Sequence, residues 1–76
     1  MKEADIIKSF GKVLKELREE QGITQEKLAH AIDSHFTHIS RLENGHKQPT
    51  LVTIFKLAEI LKVNPEDFIL RMKRDN

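Results

Sequence analysis

The chain has 76 residues, 33% of them charged, with no cysteine, 3 glycines, 2 prolines and a net charge of +1. That length holds one small domain, and the missing cysteine excludes disulfides and thiolate metal sites. No apolar run approaches the roughly 18 residues that a membrane span needs, and no export signal is present, so the expectation is a soluble, cytoplasmic protein without a cofactor.

Residues 1–5 are expected to fray. From Ile6 or Ile7 onward, Ile7, Phe10, Val13, Leu14 and Leu17 recur at three- and four-residue steps, the apolar stripe of an amphipathic helix. Lys8, Lys12, Lys15, Glu16, Glu19 and Glu20 occupy its other face, a solvated surface on which Lys12 with Glu16, and Lys15 with Glu19, support the helix weakly. Gly22 stops it. Thr24 caps a second helix, Glu26 suits its first turn, and Leu28, Ala29 and Ile32 form its buried stripe. A bend falls at Asp33-Ser34. Ser34 or His35 then caps a third helix, serine being the better capper. Ile39 and Leu42 face inward on that helix, which runs to Asn44 and ends at Gly45.

After the polar loop His46-Lys47-Gln48-Pro49, Thr50 caps a fourth helix with Leu51, Ile54, Leu57, Ala58 and Leu61 at helical spacing, closed by Val63. Asn64-Pro65-Glu66-Asp67 is a strong start signal for a fifth helix: a cap, a proline at the first position and two acids in the first turn. That helix carries Phe68, Ile69, Leu70 and Met72, with Arg71, Lys73 and Arg74 in its last turn, where cations suit the helix dipole. Residues 73–76 are expected to fray. No strand-like alternation is sustained anywhere. The chain reads as all-α: five helices in one domain over residues 1–76, with its core at about 7–70. A net charge near zero does not demand nucleic acid as a partner, so a DNA-binding role requires positive charge gathered on one face.

The pattern Phe10-Gly11, Leu14, Leu17-Arg18, Gly22-Ile23-Thr24-Gln25-Glu26, Leu28-Ala29, Ile39-Ser40-Arg41-Leu42-Glu43-Asn44-Gly45, Pro49-Thr50-Leu51, Leu57-Ala58 and Leu61 resembles the Cro/C1-type (XRE-family) helix-turn-helix domain. That family includes phage repressors, phage Cro proteins and the controller proteins of restriction–modification systems. The resemblance spans about residues 7–70 and implies a compact, five-helix, lambda-repressor-like DNA-binding fold with the helix-turn-helix at the second and third helices. It further implies that Phe36, Thr37, His38 and Arg41 face base edges. Thr24, Gln25, Ser40, Asn44, His46, Lys47 and Gln48 match positions that contact the phosphate backbone, with Lys47 also within reach of a base. Gln25 in relatives also braces the start of the reading helix, and Thr24 and the N–H groups beside it suit a phosphate at a helix N-terminus. Arg18 and Glu43 match a buried ion pair tying the first helix to the third; the other reading makes them ordinary solvated charges.

The residue types suit these roles. Arg41 can hold guanine O6 and N7 through two parallel bonds, and Thr37 can donate, accept or press its methyl on a thymine methyl. Two departures stand out. Asp33 replaces the glycine usual at the bend, and aspartate tolerates the left-handed conformation. Ser34 stands where an apolar residue is usual, and Phe36 is an unusual lead residue. Phe36 therefore either meets thymine methyls or folds inward to fill the space at residue 34. Of the four histidines, His30, His35, His38 and His46, the pair His35 and His38 has i,i+3 spacing, but no carboxylate or cysteine completes a metal set. If His35 or His38 faces phosphate, DNA affinity should rise as pH falls from about 7.5 to 6.

The expected function is a sequence-specific transcriptional regulator that binds double-stranded DNA as a homodimer on a two-fold symmetric operator. Phe68, Ile69 and Leu70 either complete the monomer core or form the dimer seam, and the excess of apolar residues there favours the seam. With no room for a sensing domain, control is expected from protein concentration, operator layout or a partner. The alternatives are an antitoxin that binds a toxin and its own promoter, or a protein-interaction module that keeps the fold. No acid pair, triad, phosphate loop or metal set points to an enzyme.

Overall fold

The computed structural model describes residues 1–74 as α1 (Glu3–Glu20), α2 (Gln25–Ala31), α3 (Phe36–Glu43), α4 (Leu51–Leu61) and α5 (Pro65–Arg74). No strand occurs among them. Residues 3–5, expected to fray, instead form the first turn of α1, where Glu3 and Asp5 complement the helix dipole. Lys73 and Arg74 belong to α5 rather than to a frayed end, and the remainder of that expectation, at 75–76, lies outside the described residues.

The stops and caps follow from local chemistry. Gly22 and Gly45 take left-handed φ values of 67° and 73° just past α1 and α3, as does Asp33 at 57° in the bend. Thr24 Oγ1 accepts from Lys27 N at 3.1 Å, and Thr50 Oγ1 from Thr53 N at 3.0 Å. The start of α5 is secured from inside the helix, since the Asp67 carboxylate accepts the Asn64 N–H at 2.8 Å. At α3 the capping residue is His35, not Ser34, and its side chain makes no capping bond.

The helices enclose one core of Phe10, Val13, Leu14, Leu17, Leu28, Ala29, Ile32, Ile39, Leu42, Leu57, Ala58, Leu61, Phe68 and Met72. Two apolar expectations are corrected. Phe68 is fully buried and its ring stacks on Phe10 with centroids 5.0 Å apart, so it fills the monomer interior and leaves Ile69 and Leu70 alone at the surface. Leu51 shares the helical spacing of the α4 stripe but is 70% exposed at the first turn of that helix. The acidic face of α1 is not merely solvated. Arg71 reaches back from α5 to hold both carboxylate oxygens of Glu20, at 2.7 and 3.1 Å, and approaches Glu16 at 3.9 Å.

The crossing of α1 and α3 depends on Gly11. A Cβ at that position would lie 2.3 Å from the Leu42 carbonyl oxygen and 2.6 Å from that of Glu43. The backbone of α3 therefore rests directly on α1, with no side chain between them. This contact fixes the depth and tilt of α3, and so decides which of its residues look outward.

Candidate nucleic-acid interface

Along α3, Ile39 and Leu42 point into the core, and the helical period then turns Thr37, Arg41 and Asn44 (i, i+4, i+7) to the opposite side. All three are exposed. Phe36 flanks this stripe and is 52% exposed, so the inward alternative fails: its ring does not fill the space beside residue 34. His38 lies at the other flank, half-buried, with Nδ1 2.8 Å from Ser34 Oγ. Ser40 is half-buried and its hydroxyl accepts from Asn44 Nδ2 at 3.4 Å. His46, Lys47 and Gln48 continue the exposed surface beyond Gly45.

Glu43 ends α3 facing the other way. Arg18 Nε donates to its Oε2 at 2.6 Å and Nη2 to Oε1 at 3.1 Å, with only 12% and 2% of the two side chains exposed. The bond to Glu43 is the main cause that raises the Arg18 pKa above its ordinary value, so this guanidinium stays charged. Arg18 Nη1 also donates to the Ile23 carbonyl at 2.9 Å, and Gln25 Nε2 to Glu43 Oε1 at 3.0 Å. One carboxylate thus joins α1, α2 and α3. Solvated charges do not behave in this way, and that alternative is removed. Gln25, the first residue of α2, is half-buried and braces the end of α3 through Glu43 rather than its start, with its side-chain carbonyl free of protein partners among the described residues. Thr24 uses its oxygen lone pair for the cap and keeps its hydroxyl proton to donate.

The charge distribution follows from this arrangement. Glu43 is the single acid between Phe36 and Gln48, and it is turned inward and matched by Arg18. What remains outward over that stretch is Arg41 and Lys47, whose charges both act on His38. With burial as the largest cause, they push its pKa below 6.5. A total near zero therefore leaves a local face that is cationic and rich in hydrogen-bond donors.

The helix-turn-helix family pattern matches residues 14–68, which include every group of this face except the scaffold ahead of Leu14. The chain belongs to the helix-turn-helix family, in its Cro/C1 (XRE) type. Control protein C.BamHI of Bacillus amyloliquefaciens is 36% identical over 61 residues, spanning 79% of this chain and 75% of its own. The crystal structure of the restriction-modification controller protein C.AhdI from Aeromonas hydrophila matches with a TM-score of 0.79 at 37% identity, over 86% of this chain and 93% of that one. The clp gene regulator ClgR from Corynebacterium glutamicum shares the fold, with a TM-score of 0.89 at 21% identity over 92% of this chain and 74% of that chain. Members of this helix-turn-helix family are DNA-binding transcriptional regulators rather than enzymes.

Phe36, Thr37, Arg41, Asn44, His46, Lys47 and Gln48 are all exposed, as is Thr24 at the N-cap of α2, while Arg18 and Glu43 pair between α1 and α3. Two residues outside the expected site also shape it. Gly11 seats α3 through its lack of a side chain. Ser34 meets His38 through an i,i+4 spacing that is visible in the sequence. Among the described residues no group of three or more His, Cys, Asp or Glu is placed to hold a metal ion.

Proposed function

We propose that this protein is a sequence-specific transcriptional regulator that lays residues 36–44 in the major groove of double-stranded DNA as a homodimer. Phe36, Thr37, His38 and Arg41 read base edges, while Thr24, Gln25, Ser40, Asn44, His46, Lys47 and Gln48 hold the phosphate backbone. The observation that carries this reading is the outward side of α3 and its following loop. It presents Arg41, Lys47, Thr37 and Asn44 with the one acid of that stretch turned inward and neutralised.

The dimer rests on a second surface. Leu51, Val52 and Phe55 of α4 are 70%, 63% and 55% exposed, and Ile69 and Leu70 of α5 are 48% and 58% exposed, on two helices that pack together. Large apolar side chains gathered in this way mark an interaction surface. A two-fold axis through it would present two copies of α3 to one side of DNA, with half-sites one helical turn apart, roughly 34 Å.

Selection from randomised duplexes tests the whole reading. An inverted repeat with that spacing is expected, bound with an affinity that falls steeply with salt. Recovery of no sequence would leave a protein-interaction module in its place. For the dimer, the double variant with Ile69→Asp and Leu70→Asp should sediment as a folded monomer and lose operator binding. A dimer of unchanged mass would move the seam elsewhere.

A further inference from the structure

Ser34 is the best helix capper at the start of α3, yet it does not cap. The N-cap falls on His35, whose side chain makes no capping bond, while the Ser34 hydroxyl meets His38 Nδ1 at 2.8 Å. Its backbone N–H is already bonded to the Ala29 carbonyl at 2.8 Å, so the turn is held without the side chain. The hydroxyl is thus free to orient the imidazole.

The consequence lies at the other ring nitrogen. His38 Nε2 has no protein partner among the described residues, and no buried side-chain nitrogen or oxygen there lacks one, so Nε2 opens to solvent. The Ser34 hydroxyl has one proton and no acceptor other than Nδ1 among the described residues. Donated to Nδ1, it places the ring's own proton on Nε2. Burial and the charges of Arg41 and Lys47 keep the ring neutral at pH 7, so the tautomer matters.

We propose that Ser34 is a positioning residue for DNA reading: it fixes the His38 ring so that Nε2–H points outward as a donor to a base-edge acceptor, guanine N7 or O6, adenine N7 or thymine O4. This rests on the DNA-reading function proposed above. Without Ser34 the ring can rotate and change tautomer, and the Nε2 lone pair can then accept from cytosine or adenine amino groups.

Binding selection with the unaltered protein, Ser34→Ala, Ser34→Thr, His38→Ala and the Ser34→Ala/His38→Ala double variant tests this, together with 15N spectra of the His38 ring in the free protein. Ser34→Ala is expected to weaken the preference at one base pair on the order of fivefold, the worth of one hydrogen bond, while the salt slope stays the same. His38→Ala should lose the same preference, the double variant should lose no more, and Ser34→Thr should restore it. The free-protein spectra should show Nε2–H in the unaltered protein and a tautomer mixture in Ser34→Ala, independently of any DNA. Additive losses, an equal loss on all sequences, or an unchanged tautomer in Ser34→Ala would overturn the proposal. If the unaltered protein selects no sequence but shows the Nε2–H tautomer, the DNA-reading function fails and this role falls with it.

Discussion

The two sides of α3 are built on opposite rules. Its inner side is closed: Ile39 and Leu42 are fully buried, Glu43 has Arg18 and Gln25 on its carboxylate, and the backbone at Leu42 and Glu43 lies against Gly11. No buried side-chain polar atom among the described residues lacks a partner. Its outer side is open, with Thr37 and Arg41 making no side-chain bond to the protein among the described residues. A helix that stabilises its own fold through one side is free to leave donors unmatched on the other. The closed side supplies rigidity and the open side supplies chemistry, so variants of the two sides should separate cleanly into stability effects and binding effects.

The largest effect is expected at the closed side, from Gly11→Ala. The added carbon would meet backbone oxygens rather than flexible side chains, so α1 and α3 must move apart. A loss of about 3–5 kcal/mol in chemical denaturation is expected, close to the whole stability of so small a domain. A stability within about 1 kcal/mol of the unaltered protein would show that the helices slide without cost and that their contact does not set the tilt of α3.

Glu43→Gln comes next. It leaves the Arg18 guanidinium, 12% exposed, facing an uncharged amide. The cost of breaking one side of a buried pair, reduced for that exposure, is about 2–3 kcal/mol. DNA affinity measured well below the unfolding transition should change far less than stability. A loss under about 0.5 kcal/mol would return the pair to the surface class.

What could be read from sequence divides along the same line. Leu28, Ile39, Leu42, Leu57 and Leu61 repeat at helical spacing and are all buried, because periodicity records burial directly. The turn was legible at Gly22, Asp33 and Gly45, since few residues accept a positive φ. Phe68 lies in the core rather than at the favoured seam, and Leu51 is exposed despite its helical spacing. Apolar character alone does not say which of several such residues meets a neighbour, and only the packing of α5 on Phe10 chose Phe68. Gly11 and Ser34 were opaque for another reason: what they do depends on a partner atom, a carbonyl of α3 or a ring nitrogen four residues on.

On the open side, Arg41→Ala should leave stability unchanged and cost about 1–3 kcal/mol of binding, with specificity relaxed at one base pair. A loss spread evenly over all sequences, with a shallower salt dependence, would make Arg41 a phosphate contact instead. Either outcome keeps Arg41 at the interface; a loss of stability would place it in the scaffold and break the two-sided description.

The smallest effect is a pH dependence in which the two sides pull in opposite directions through one residue. The His38 pKa is lowered in the folded protein, first by burial and then by Lys47 and Arg41, so the unfolded chain takes up a proton more readily. Stability from this group is therefore complete above about pH 6.5 and is lost as pH falls through the lower folded value. Bound phosphates act the other way. They favour the charged ring, so DNA binding draws a proton onto His38 and affinity should rise as pH falls toward the free protein's lowered value. The rise therefore continues to a lower pH than the range of 7.5 to 6 expected for an unperturbed histidine. Titrations at constant salt should show a gain on the order of twofold to threefold per pH unit there, absent in His38→Gln, while denaturation midpoints fall slightly. Affinity that stays flat below pH 6.5 would mean that no phosphate lies near the ring, and that His38 meets DNA through a base edge alone.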